Sequence, residues 1–139
     1  MKILLAIDGS AHSRLAVKHV IAQWSRAADL KLQLLHVDPP LTARVASALG
    51  QAEVARYHEE NSHEALRYAR SLLHRAGLVF TEQSLVGDPA ELIARTATRG
   101  RFDLLVMGSH GRGVFRNLLL GSVVSKVLQS CKTPLLIVR

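Results

Sequence analysis

Between Met107 and Val123 the chain reads MGSHGRGVFRNLLLGSV, with four glycines, two arginines and a histidine, and no acid. Glycines at this density let a backbone approach a ligand where a Cβ would block it, and they let successive N–H groups converge on an anion. Gly121 and Ser122 stand near the start of a helical pattern, LLLGSVVSKVLQS. The free amides and dipole of a helix start favour phosphate, and Ser122 Oγ can donate one further bond. A side chain at Gly121 would stand in the phosphate's approach. Two familiar phosphate motifs are excluded by residue type. Gly108 and Gly113 have the glycine spacing of a P-loop, but Val114 and Phe115 occupy its Lys and Ser/Thr positions, and Arg116 stands where a dinucleotide fingerprint needs its third glycine.

A second loop, IDGSAHS, carries Asp8 just after an apolar run. Asp8 is suited either to face a ligand or to cap the next helix together with Ser10. His110 suits either a phosphate or solvent, Gly113 serves the turn, and Lys126 is expected on a solvated helix face. His58 and His63 are five apart, which misses the HExxH spacing of zinc enzymes; both are expected on a helix surface, with no structural metal. Cys131 reads as a small packed residue. No Ser/His/Asp or Cys/His set has a nucleophile elbow around it, so no catalytic residue is assigned. A receiver domain is excluded, because Asp8 lacks acidic neighbours and PLLIVR lacks a lysine.

The elements that must position these loops follow from periodicity. Strand patterns occur at 2–7, 31–37, 79–86, 102–107 and 134–139, with helical patterns between them. The first helix carries Leu15, Val17, Val20, Ile21 and Trp24 at three- and four-residue steps. The second carries Val54, Ala65, Ala69, Leu72, Leu73 and Ala76 and stops at Gly77. The third opens with Asp88 at the N-cap, Pro89 and Glu91, and closes at Gly100. The stretch VDPPLTARVASALG is expected to be a long mobile connection. Strict alternation of strand and helix predicts one α/β domain over residues 1–139, a parallel sheet with helices on both faces. In such a sheet, ligands sit beyond the carboxyl ends of the strands, where the strand order reverses.

The 139 residues suffice for one core, and 48% of them are hydrophobic. No apolar run is long enough to span a bilayer, and the opening MKILLAIDGS is too short for a signal peptide. With one cysteine, the expected location is the cytoplasm. The net charge is +7. From Ala90 onward there are eight Lys/Arg against two Asp/Glu, whereas residues 1–89 hold ten against nine. The excess therefore lies with the glycine loop and suits an anionic ligand, although charge alone equally fits a solvated face.

Gly108, two residues, Gly111, nine residues, then Gly121 and Ser122: this spacing resembles the G-x2-G-x9-G-(S/T) signature of nucleotide-binding universal stress proteins. KILLAIDGS, LLHV, GDPAELI, DLLVMGSHGRG and the closing PLLIVR resemble that family's elements in order. The resemblance is weakest over residues 38–78. It implies a Rossmann-like, five-stranded parallel sheet in the order 3-2-1-4-5, and ATP or another adenine nucleotide as ligand, with Mg²⁺ or Mn²⁺. It also implies roles by position. Ala6 and Ile7 would wall the base, and Val37 would offer its backbone to adenine. Asp8 would meet the ribose or a phosphate-bound metal. Met107, Gly108, His110 and Gly111 would line the ribose–phosphate path, and Gly121, Ser122, Val123 and Val124 would hold phosphates. Val124 departs from members with a hydroxyl there. The implied function is a stress sensor or regulator that is not a dedicated enzyme, with at most slow ATP hydrolysis. In the 3-2-1-4-5 order, strand 134–139 is an unpaired edge, and the resemblance implies a homodimer through it. Two other readings stay open: a dimeric interaction module with a vestigial site, and a nucleic-acid binder using the basic C-terminal half. Against the latter, aromatic residues are 4% of the chain, leaving few platforms for stacking bases.

Overall fold

The computed structural model describes residues 1–113 and 117–139. Val114, Phe115 and Arg116, which exclude the P-loop and the dinucleotide fingerprint, lie outside the described residues. Five parallel strands, β1 (Lys2–Ala6), β2 (Lys31–Asp38), β3 (Phe80–Val86), β4 (Leu104–Gly108) and β5 (Leu135–Val138), form one sheet in the order β3-β2-β1-β4-β5. Five helices connect them: α1 (Ala11–Trp24), α2 (Ala43–Leu49), α3 (Gln51–Arg75), α4 (Pro89–Arg99) and α5 (Ser122–Ser130). This is the α/β arrangement expected from the alternation and the order implied by the resemblance.

Side chains alternate across the sheet with the two-residue period of a strand. Ile3, Leu5 and Ile7 bury against α1 and α3, meeting Ala16, Val17, Val20, Leu66, Ala69 and Leu73. Leu4 and Ala6 turn to the other face, where Leu35, Val37, Ile93, Ala97, Val124 and Val127 complete a second core with α4 and α5. Both faces of β1 are dry, which is why its sequence reads as an unbroken apolar run. No described helix is long and apolar enough to cross a membrane.

Three local expectations change. The connection after β2 holds a helix, α2, capped by the Thr42 side chain, which accepts from Val45 N–H at 3.3 Å. α2 buries no residue: Val45 and Leu49, one turn apart, stay exposed, and seven residues are too few for periodicity to mark a helix. Gly50, at φ 83°, breaks the chain between α2 and α3. Asp88 stands at the N-cap of α4, but its side chain makes no capping bond. The fourth helical pattern begins later than it reads, at Ser122, because residues 118–120 bend ahead of it.

Candidate functional site

With β1 and β4 adjacent and parallel, their carboxyl ends open at the same edge of the sheet. The loops that follow them, over residues 7–10 and, of the second, 109–113 and 121, face each other across a crevice of about 330 Å³. The apolar lining includes Ala6, Leu35, Val37, Ile93, Met107 and Val124. All twelve residues singled out from the sequence and the resemblance line this one cavity: Ala6, Ile7, Asp8, Val37, Met107, Gly108, His110, Gly111, Gly121, Ser122, Val123 and Val124. Arg112, Ser13, Asp38, Pro39, Pro89 and Ile93 also line it and were missed. Arg112 sits inside the glycine motif and Ile93 on the buried stripe of α4, so both signals were present. Asp38 ends β2 and Pro39 follows it, with nothing in their types to mark them.

The two loops are stitched together. Ser10 Oγ donates to His110 C=O at 3.3 Å across the crevice, while Asp8 N–H donates to Ser13 Oγ at 3.3 Å and ties the first loop to α1. His110 Nε2–H donates to Leu118 C=O, so Nδ1 is left to accept from Ser109 Oγ at 2.9 Å. Both ring nitrogens of His110 are thereby committed within the loop. The glycines take reciprocal contacts. A Cβ on Gly111 would meet Asp8 Oδ2 at 2.6 Å, and a Cβ on Gly9 would meet Arg112 Nη2 at 2.7 Å. Each loop therefore lays a charged side chain over the other's glycine.

Asp8 does not cap α1. Ser10 does, accepting from Ser13 N–H at 3.2 Å, while Asp8 Oδ1 accepts from Ser10 N–H at 2.9 Å. Gly121 also differs from its sequence reading. Its N–H is spent on Ser109 C=O at 2.7 Å, and a Cβ there would press on His110 Cα at 3.1 Å. The residue closes the loop, and the space a Cβ would take is bounded by the backbone of Ser109, His110 and Gly111. The amides of Ser122, Val123 and Val124 precede the first intrahelical bond, from Ser125 N–H to Gly121 C=O, and remain the donors of the α5 start.

At the end of β2, a buried polar cluster replaces the surface histidine expected at 58. His58 is 8% exposed, and its Nδ1–H donates to Asp38 Oδ2 at 2.6 Å. Asn61 Nδ2 reaches the same oxygen at 2.9 Å. His63 is exposed, as expected. His36 Nδ1–H donates to Ile7 C=O at 2.8 Å, pinning the end of β1. Its Nε2 is buried without a hydrogen-bond partner among the described residues, 3.9 Å from Asp38 Oδ1. These bonds hold α3 and the rim of the crevice in register.

Over residues 1–139 the sequence matches the model of the universal stress protein family. It is 30% identical to universal stress protein MJ0531 of Methanocaldococcus jannaschii, covering 99% of this chain and 81% of that one. Some relatives are longer: the chain spans 46% of one from Mycolicibacterium smegmatis. Among solved structures, hypothetical protein MJ0577 of M. jannaschii superposes with a TM-score of 0.83 at 29% identity, over 99% of this chain and 94% of that one. A universal stress protein solved in complex with cAMP superposes with a TM-score of 0.66 at 28% identity, over 100% and 97%.

Proposed function

This chain belongs to the universal stress protein family, and from that footing we propose that its crevice binds an adenine nucleotide, ATP with Mg²⁺ or Mn²⁺. The protein then acts as a cytoplasmic stress sensor or regulator, a binder of nucleotide and not a dedicated enzyme. One observation carries the reading: the motif glycines, Ser122, Asp8 and the end of β2 meet in one cavity of about 330 Å³, within the usual range of small-ligand sites. The cAMP complex of a relative supports the adenine class.

The apolar wall of Ala6, Val37, Ile93 and Met107 takes the base. The amides of Ser122, Val123 and Val124, with the α5 dipole behind them, take phosphate. Among the described residues, no group of three His, Cys, Asp or Glu could hold a metal ion alone. A divalent ion would therefore arrive with the phosphates and take oxygen ligands from them. Asp8 fits that role: Oδ1 is engaged by Ser10, while Oδ2 lies at the rim over Gly111.

Ser122→Asp tests the reading. Ser122 is exposed at the first turn of α5, where an aspartate suits the helix dipole but repels a phosphate. Calorimetric titration with Mg-ATP should show affinity falling about ten- to a hundredfold, with no loss of melting temperature. Equal ATP affinity in the variant would remove the phosphates from α5.

The dimer belongs to the same proposal. Pro134 and Val138 carbonyls accept from Leu105 and Ser109 N–H on the β4 side. By strand alternation, the amides of Leu135 and Ile137 face the open edge. A two-fold axis there would pair β5 with its copy and cover four half-buried apolar residues.

A further inference from the structure

Charge in the crevice is unevenly supplied. Its lining holds two carboxylates, Asp8 and Asp38, and among the described residues one Lys or Arg side chain, Arg112. A phosphate chain entering this cavity at the start of α5 meets backbone amides, the Ser122 hydroxyl and a valine at 124. Each phosphate beyond the first adds negative charge that the amides of a single helix start cannot balance. Among the described residues of the lining, Arg112 is the side chain able to do so. It springs from between Gly111 and Gly113, so its backbone belongs to the glycine loop itself. Its guanidinium rests against Gly9, as the 2.7 Å approach of Nη2 to a Gly9 Cβ shows. It forms no ion pair with a described carboxylate. Glu64, on α3, feels it only weakly. That carboxyl is held below its usual range chiefly by its hydrogen bond to Arg67, with smaller attractions from Arg67's charge, His63 and Arg112. Arg112 is exposed, so leaving its resting place breaks no buried contact.

We propose that Arg112 determines which phosphate-chain length the crevice prefers. It meets the phosphates beyond the first and gives up its place over Gly9 when a di- or triphosphate enters. This deepens the nucleotide reading above and rests on it. A guanidinium offers paired N–H donors that match phosphate oxygens, whereas a lysine supplies only a point charge.

The experiment is calorimetric titration of wild type, Arg112→Gln and Arg112→Lys with AMP, ADP, ATP and inorganic tripolyphosphate. Arg112→Gln should lose about ten- to a hundredfold in ATP affinity, the range for one charge-assisted contact, and under about threefold for AMP. Arg112→Lys should recover part of the ATP loss. An equal loss for AMP and ATP, or unchanged ATP binding, overturns the proposal. A wild type that binds tripolyphosphate through Arg112 but no nucleotide would remove the adenine reading and keep the arginine's role. A wild type that binds neither overturns both.

Discussion

Gly108 ends β4 directly beneath the first turn of α1, and replacing it with alanine tests the architecture of the crevice apart from any ligand. The added Cβ would lie 2.5 Å from the His12 carbonyl carbon and 2.7 Å from both His12 O and Ser13 N. Carbon atoms pack at about 3.5–4.0 Å, so one methyl group asks α1 to retreat by about 1 Å. The obstacle is helix backbone, and no rotamer change relieves it. α1 is itself held by Ala16, Val17 and Val20 in the core. Overpacking of this kind costs about 1–3 kcal/mol, and a rigid neighbour places Gly108→Ala near 3. At an unfolding entropy of about 2.1 cal/mol/K per residue, the melting temperature should fall by about 10 °C. Thermal melts without nucleotide would read this, with Gly113→Ala beside it. No described atom lies within 4 Å of a Cβ at Gly113, so that variant should stay within about 2 °C of wild type. A Gly108→Ala protein that melts with the wild type would refute the packing argument.

Three further outcomes follow from the geometry. Asp8→Ala loses one hydrogen bond, to Ser10 N–H, so stability should drop by no more than about 1.5 kcal/mol, while the rise in melting point produced by Mg-ATP shrinks; an undiminished rise would take Asp8 out of the site. His58→Ala leaves the buried Asp38 carboxylate with Asn61 as its remaining donor, which should cost about 1–3 kcal/mol in a urea titration; an unchanged midpoint would show that Asp38 finds water instead. Ile137→Pro removes an outward-facing N–H while sparing the β4 pairing, so light scattering at micromolar concentration should show dimer giving way to folded monomer; a dimer that persists would move the interface elsewhere.

What the sequence determined by itself was the sheet and the site's two loops. Alternating apolar runs and helical stripes dictate βα units, because an element must bury its apolar side, and parallel strands must be connected through helices. The glycine spacing from Gly108 to Ser122 marks the loop because backbone approach requires residues without a Cβ, a property of type and position alone. What only the tertiary structure decided depends on partners far apart in the chain. α2 stays hidden in the sequence because its seven residues are too few for a periodic pattern to separate from a loop. His58 reads as a surface residue because polar and charged residues surround it between Val54 and Ala65; its partner Asp38 lies 20 positions away, and the two meet because α3 folds back over β2. Gly111 and Gly9 prove to be spaces for the other loop's Asp8 and Arg112, a relation between residues about 100 apart that no local pattern encodes. Side-chain periodicity is set within one turn or one pleat. A polar contact between two loops exists only after the sheet has brought β1 beside β4.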